Sequence, residues 1–254
     1  VEGGKTKVVQ VEAVAPGEAV VAVRVSRRRG ALSATATDAG SGGIEVVAPT
    51  AALAKAHVLS AAPVNSAARL AIVNPSTSTA HAKVEVSGPD GSFSAQGLEN
   101  IAVEPESVRV VAVPAQVELA QSALHVSSDL PVAASLTVAT ASDFASVVPA
   151  EELSGPAVLP TALAGVPIQL LVTAGPSAAN VEVEDFSAQM ESLGKVQIAV
   201  SAGSSVLVPG STNRGAAYRI VQPAADSGKV WAGANWRNKN LIASTVVRPA
   251  PLTV

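Results

Sequence analysis

The chain has 254 residues, of which 48% are hydrophobic, 2% aromatic and 15% charged, whereas charged residues make up about 25% of a typical soluble protein. Its formal net charge is −3, so it lacks the general attraction to phosphate that dominates nucleic-acid binding, and we expect no nucleic-acid partner. The absence of cysteine excludes disulfides and thiolate metal sites, and the absence of an apolar run of about 18 residues predicts no membrane span in this sequence.

Residues 1–50 combine strand-like alternation with one cluster of positive charge. Residues 20–25 read Val-Val-Ala-Val-Arg-Val, a pattern that is typical of a half-buried strand. Arg27, Arg28 and Arg29 follow shortly after, and we predict that they lie at the tip of a hairpin. They form either a solvated turn or an anchor for an anionic partner, such as a phosphate-bearing wall polymer, anionic lipid headgroups or an acidic protein.

A valine pair followed by proline recurs along the chain, and its prolines are 100 residues apart. The three copies are Val46-Val47-Ala48-Pro49, Val147-Val148-Pro149 and Val246-Val247-Arg248-Pro249. A second block, which reads as a strand, a tight turn and another strand, occurs at residues 14–20, 101–108 and 198–206. Self-similarity at a fixed period indicates repeated structural units.

The period predicts one β-sandwich unit at residues 51–150 and another at residues 151–254. Residues 1–50 then hold only the second half of a truncated unit. A half-unit leaves strand edges uncovered, which folded proteins normally avoid. We therefore expect either that upstream residues complete this unit or that its strands dock on a neighbouring unit or a partner chain.

The predicted units consist mainly of short strands. Residues 83–86 and 181–184 alternate valine with charged side chains, and turn signals such as Asn74-Pro75 recur about every 8–12 residues. Residues 50–57 and 115–123 are predicted to be briefly helical, but both are too short to serve as a βαβ crossover. The sequence therefore predicts an all-β fold of tandem immunoglobulin-like antiparallel β-sandwiches of about 100 residues each, the first of them incomplete.

Three local motifs carry a resemblance to a known family. Residues 70–75 read Leu-Ala-Ile-Val-Asn-Pro, residues 88–91 read Gly-Pro-Asp-Gly, and residues 103–108 read as a Val-x-Pro-x-Ser-Val hairpin. Together they resemble an uncharacterised family of exported, Ala/Val-rich, β-repeat actinobacterial proteins, a domain of unknown function. The third unit departs from this pattern, because Thr173-Ala174-Gly175-Pro176 replaces the Asn-Pro turn. The resemblance implies a cell-envelope location, with an upstream membrane anchor, and supplies no catalytic residue.

The residue types that carry chemistry form no recognisable set. His57, His81 and His125 have no carboxylate at metal-ligand spacing around them, so a surface or edge-strand position is the better interpretation for each. The acidic residues match no calcium-binding loop, and nothing selects a glycosidase pair among them. We predict no catalytic residue, no metal and no cofactor.

The third unit holds an aromatic patch. Tyr218, Trp231 and Trp236 lie within nineteen residues, and Asn235 and Arg237 flank the second tryptophan. Aromatic rings beside amide and guanidinium groups suit either a sugar ring or the hot spot of a protein interface. The tryptophans are five residues apart, so a straight strand sends them to opposite faces, one to the core and one to its rim, unless Gly233 marks a turn or bulge.

These observations predict a non-enzymatic, extracytoplasmic module of the cell envelope, which acts as a structural spacer or as a protein-binding platform. Its expected partner is an envelope protein or a cell-wall polysaccharide. The alternative function is carbohydrate binding, with cell-wall polysaccharide as ligand, through the aromatic patch. A hydrolase is a third class, which a deep pocket with converging carboxylates and a histidine would indicate.

Overall fold

A computed structural model describes residues 5–17, 21–25, 35–40, 43–47, 52–62, 67–161, 168–208, 216–238 and 241–249. The chain forms two compact units, residues 1–34 and residues 35–254. In the first unit the described residues include a short helix, α1 (Val11–Val14), and a turn at Pro16-Gly17. The strand predicted for residues 20–25 is not found at residues 21–25, which are exposed.

In the second compact unit, all secondary-structure elements of the described residues are antiparallel β-strands. It begins with a hairpin of β1 (Ala36–Gly40) and β2 (Gly43–Val47). Eight strands, which we call the first half, follow: β3 (Ala54–Leu59), β4 (Arg69–Asn74), β5 (Ala80–Gly88), β6 (Gly91–Ser94), β7 (Ile101–Val103), β8 (Ser107–Ala112), β9 (Ala123–Ala139) and β10 (Phe144–Val147). Eight more form the second half: β11 (Ala157–Pro160), β12 (Ile168–Ala174), β13 (Ala179–Ser187), β14 (Ser192–Val200), β15 (Ser205–Val208), β16 (Ala216–Pro223), β17 (Val230–Asn238) and β18 (Leu241–Val246). The predicted all-β class is confirmed.

Alternation of apolar and polar side chains explains why these segments form strands. In β13 the valines are fully buried, whereas Glu182 and Glu184 between and after them are half-buried. In β5 the buried residues are likewise separated by the exposed His81 and Lys83. A strand with this period buries one face against a core and leaves the other face to solvent or to a second layer.

The first half is organised around the 17-residue strand β9. Residues 123–132 of β9 pair with β3 and β5, and β5 also pairs with β6 and β7. Residues 133–139 of β9 pair with β4 and β10, and β4 pairs with β8. One long strand therefore belongs to two groups of strands, and an aliphatic core with members from both groups fills the space between them.

The second half repeats this order with a break in the long strand. One sheet has the order β11-β16-β13-β14 and the other has the order β15-β12-β17-β18. Strands β16 and β17 occupy the two places that β9 holds in the first half, and residues 224–229, with a turn at Ala225-Asp226, separate them. The same pairing order thus occurs twice, whereas the predicted domain boundaries at residues 50 and 150 stay a prediction.

Other sequence-based predictions need correction or lack confirmation. Residues 54–57 belong to β3, and residues 115–122 form turns, so neither predicted short helix is present. The segment at residues 103–108 is not a hairpin, because β7 pairs with β5 while β8 pairs with β4. The immunoglobulin-like arrangement is not confirmed, since consecutive strands such as β3 and β4 lie in different groups instead of pairing as strands A and B of that fold do.

The two cores consist of aliphatic side chains. Their largest fully buried members are leucine, isoleucine and valine, for example Leu70 and Ile72 in the first half and Leu170 in the second. Each such side chain contributes roughly 1.5–3 kcal/mol when buried. Stability is therefore spread over many modest contacts.

A buried asparagine closes the end of β4. The Nδ2 atom of Asn74 donates to the carbonyl oxygens of Ser78, Val103 and Glu104 at 2.8, 2.9 and 3.1 Å, and its Oδ1 accepts from the amide and hydroxyl of Ser76. These bonds tie the turn after β4 to the end of β7, which belongs to the opposite group of strands. The Asn-Pro motif of the sequence is thus a structural tie between layers.

At the corresponding place in the second half, different groups join the neighbouring strands β12 and β15 of one sheet. In place of the asparagine, Thr173 and Ser205 share a buried hydroxyl–hydroxyl hydrogen bond of 2.9 Å, and the amide of Gly203 donates to the carbonyl oxygen of Gly175 at 2.7 Å. Where the Asn-Pro motif is absent, at residues 173–176, these bonds hold the turn within one sheet and do not join the two layers.

Replacing Asn74 by alanine should destabilise the fold by about 2–4 kcal/mol, because backbone carbonyls buried in the turn lose their donors. Urea unfolding followed by circular dichroism measures this loss. Asn100→Ala is the matched control, since Asn100 is exposed, and it should change the unfolding free energy by less than about 0.5 kcal/mol. Equal effects of the two variants would contradict the assignment of Asn74 as a tie.

Candidate functional site

The structure does not bring the predicted aromatic patch together on one surface. Trp231 and Trp236 lie on opposite faces of β17, as their spacing predicts for a regular strand, with no bulge in the pairing of β12 with β17. Tyr218 lies on β16, in the other sheet of the second half. Arg27, Arg28 and Arg29 lie outside the described residues.

The members of the patch have separate environments. Trp236 is half-buried and packs against the core of the second half, whereas Arg237 is exposed at the end of β17. Asn235 is fully buried, and neither amide atom has a hydrogen-bond partner within the described part of the chain. A ligand on one side of β17 could therefore contact only one of the two tryptophans.

The face of β17 that carries Trp231 and Gly233 packs against the first half. A Cβ atom on Gly233 would lie 2.8 Å from the carbonyl oxygen of Ser60 and 3.0 Å from the Cβ of Ala61, so only glycine permits this approach. The hydroxyl of Ser244 on β18 also donates to the carbonyl oxygen of Ala61 at 3.1 Å. We call this contact region, with Ser60, Ala61, His125, Trp231, Gly233 and Ile242, the junction.

Strand β18 contributes a side chain to the core of the first half. Ile242 is buried among the core residues of the first half, although it belongs to the second half by sequence. Its backbone amide donates to Oδ2 of Asp143 at 2.7 Å, in the turn that leads into β10. On the connecting segment, the amide of Ala150 donates to the carbonyl oxygen of Val58 and that of Leu153 to the carbonyl oxygen of Val230. The two halves are therefore interlocked by packing and by hydrogen bonds.

His125 lies at the rim of the junction. Its ring meets that of Trp231 edge to face, with centroids 5.8 Å apart and an interplanar angle of 87°. Burial lowers the pKa of His125, and the negative charge of Glu85, its cross-strand neighbour on β5, opposes this shift to a smaller extent. Glu85 itself pairs with Lys83, 3.0 Å away. Burial against the ring of Trp231 therefore favours the neutral imidazole.

A buried ion pair lies inside the second half, and sequence reasoning missed it. Nε of Arg219 is 2.8 Å from Oδ1 of Asp185, directly across the pairing of β13 with β16, and both residues are buried. A single arginine and a single aspartate 34 residues apart give no local signal in the sequence. Because removal of one partner leaves a buried charge, the pair has a structural role.

A groove opens in the first half where β7 and β8 end their two groups of strands. Its volume is ≈ 520 Å³, and Ile101, Val108 and Val111 contribute apolar lining, with Glu104 and Arg109 beside them. β8 pairs only with β4 among the described strands, so its outer backbone groups face away from the sheet. Such an edge, next to a groove lined by both apolar and polar residues, can accept an extended peptide segment.

The remaining candidates for chemistry have structural surroundings. The ring of His57 bonds through Nε2 to the carbonyl oxygen of Val132 at 2.8 Å, and His81 is exposed on β5. Nζ of Lys195 lies 2.6 Å from Oε1 of Glu182, and this hydrogen bond raises the pKa of the lysine. Within the described residues no three His, Cys, Asp or Glu side chains come together in a way that could hold a metal ion.

The fold and these features define a class of protein: an all-β chain in which one pairing order of strands occurs twice and the two copies are interlocked. The chain belongs to a family of unknown function, DUF5719, which matches residues 1–210. No curated protein matches the sequence of the chain. None of the helices in the described ranges is long and apolar enough to cross a membrane.

The lowered pKa of His125 predicts a pH-dependent stability. Below the ordinary histidine pKa of about 6.5 the unfolded chain takes up a proton that the folded chain excludes, so stability is full above this pH and falls as the pH decreases toward the folded-state value. The melting temperature, measured between about pH 7.5 and 5, should fall less in His125→Gln than in the parent chain.

His81→Gln is the control for this experiment, because His81 is exposed on the same sheet. Its melting temperature should follow that of the parent chain across the whole range. The backbone amide of His81 lowers the pKa of the Asp129 carboxylate, which moves it further from this pH window. An unchanged slope in His125→Gln would contradict the role of the junction histidine.

Proposed function

We propose that this chain is a non-enzymatic, extracytoplasmic module of the cell envelope, which serves as a structural spacer and presents an edge to which an envelope protein binds. The observation that carries the proposal is the interlocked junction. A joint in which Gly233 touches the backbone of Ser60 and Ile242 fills the neighbouring core resists bending. A spacer needs such a joint, because it must hold a fixed distance between the groups attached to it.

The non-enzymatic part of the proposal is supported by what the reactive side chains contact. Asp185 is engaged by Arg219, Lys195 by Glu182, and the ring of His57 by a backbone carbonyl group. Each of these pairings joins neighbouring strands or closes an edge. Catalytic groups instead converge on a pocket where a substrate can reach them.

The location in the envelope is supported by the resemblance of residues 70–75, 88–91 and 103–108 to exported β-repeat proteins. The binding role is supported by the groove between β7 and β8. An extended segment that paired with the outer edge of β8 would place the side chains of one of its faces over Val111 and beside Arg109, and would bring its polar groups near Glu104.

The carbohydrate alternative has less support. A cell-wall polysaccharide needs an aromatic platform beside hydrogen-bonding groups, but Trp231 faces the junction, Trp236 packs on the second core and Asn235 is buried. Binding of purified wall polysaccharide that is lost in Trp231→Ala or Trp236→Ala, with the fold retained, would favour this alternative over the proposed function.

The spacer proposal predicts a single, narrow distance between the two halves. Because the chain has no cysteine, spin labels can be attached to cysteines introduced at Thr137 on β9 and Ala199 on β14, both exposed positions. Pulsed electron paramagnetic resonance should give one narrow distance distribution for the parent chain. A broad distribution would show that the halves move independently and would overturn the proposal.

Gly233→Ala should broaden that distribution, because the added Cβ would lie 2.8 Å from a backbone oxygen at the junction. Gly155→Ala is the matched control, since a Cβ there has no atom within 4 Å, and its distance distribution should equal that of the parent chain.

The proposed location in the cell envelope is tested by a separate experiment. Fractionation of cells that naturally produce the protein should recover it with the envelope, and recovery with the cytosol would overturn that part.

A further inference from the structure

The hairpin of β1 and β2 reproduces the hairpin of β9 and β10 with an offset of 100 residues. Ala36 pairs with Val47 as Leu136 pairs with Val147, and Ala39 pairs with Ile44 as Ala139 pairs with Phe144. In addition, β2 lies beside β10, and β10 lies beside β18. The β1–β2 hairpin therefore has the register of the terminal hairpin of the first half, and it lies beside β10 as β10 lies beside β18.

The two hairpins differ at the edge of the first strand, the edge of β1 or β9 that does not pair with β2 or β10. β9 pairs with β4, so that Leu70 lies opposite Leu136 and Ile72 opposite Ala134, and β4 continues the sheet to β8. Among the described strands β1 pairs only with β2. Ala36 is exposed, whereas its counterpart Leu136 is buried beneath the opposite group of strands. A two-stranded hairpin of this kind is marginally stable on its own, and its free edge can accept another strand.

Residues 21–25, taken by themselves, also lack the contacts that their sequence predicts. The blocks at residues 14–20 and 101–108 align residues 20–25 with the beginning of β8, which is a strand. Val21, Val23 and Val25 are 38%, 64% and 55% exposed, and no strand forms there. In the first half β8 does not pair with β9, because β4 lies between them. Within this segment the alternating valines are therefore exposed, whereas in the first half β4 covers the strand that aligns with it.

We propose that the edge of β1 with which no described strand pairs binds a partner sheet with the sequence pattern of β3, β4 and β5, and that the β4-like strand of this partner pairs antiparallel with β1. The register follows from the first half, so that the partner residue equivalent to Leu70 lies opposite Ala36. The partner is an Ala/Val-rich segment of this same repeat type, because only alternating apolar side chains with this spacing complete such a core. The inference rests on the proposed spacer function, to which it adds a means of extending the series of halves.

The experiment supplies that partner within one chain. A second copy of residues 51–88, which contain β3, β4 and β5, is joined directly to residue 1 of the chain. The end of the added β5 is then followed by the residues that precede the block at 14–20, as β5 in the first half is followed by the residues that precede the block at 101–108. Amide hydrogen exchange, followed by mass spectrometry, is measured on residues 36–47. Exchange there should slow at least about tenfold relative to the unmodified chain, because the edge amides of β1 acquire partners.

The matched control is the same fusion with Leu70→Lys and Ile72→Lys in the added copy only, which removes the apolar face of the β4-like strand. Its exchange at residues 36–47 should equal that of the unmodified chain. Exchange in β12, residues 168–174, should stay slow in all three proteins and reports that the second half is folded. Unchanged exchange at residues 36–47 in the first fusion would overturn the proposal, as would full protection of these residues in the unmodified chain. Neither result bears on the distance between the labelled halves, so the spacer function and this inference fail separately.

Discussion

The close approach of β17 to the backbone that follows β3 is the contact on which the arrangement of the two halves depends. It requires a residue without a side chain at Gly233, because the Cβ of any other residue would overlap the carbonyl oxygen of Ser60. The approach also brings Trp231 to the ring of His125 and allows Ile242 to enter the first core. Small residues at this contact allow the two backbones to approach each other closely.

Polar side chains supply the specificity that an aliphatic core lacks. Leucine, valine and alanine can pack in many ways, so a core made of them does not by itself select one register. Asn74 ties the end of β4 to β7, Thr173 and Ser205 tie β12 to β15, and Arg219 pairs with Asp185 across β13 and β16. A different register would leave these buried groups without partners, at a cost of about 1–3 kcal/mol for each uncharged group.

The same organisation explains the proposed function and the proposed partner. A long strand, or two strands in its place, belongs to both layers of each half, and the terminal hairpin then lies beside the hairpin of the next half. The contact of β2 with β10 recurs between β10 and β18, and an arrangement in which each half contacts its neighbours can in principle be extended. The groove between β7 and β8 lies at the other side of the first half and leaves β8 open to a partner segment.

Much of the secondary structure follows from the sequence alone. The alternation of apolar and polar residues predicted β5 and β13, and the turn signals at Asn74-Pro75 and at residues 88–91 marked the ends of strands. The 100-residue period predicted repeated units, and the matching registers of the β1–β2 and β9–β10 hairpins were found only in the structure. The spacing of Trp231 and Trp236 correctly placed them on opposite faces of one strand. These features depend on residues close to one another in the chain.

Only the tertiary structure decided which strands pair and what the exposed faces contact. Alanine at residues 115–123 suggested a helix, but these residues form turns that lead into β9, whose partners lie far away in sequence. The pairing of Asp185 with Arg219 and the burial of Asn235 likewise depend on contacts between distant strands. Such contacts leave no local pattern, because a strand specifies by its own sequence which face is apolar but not which neighbour will cover it.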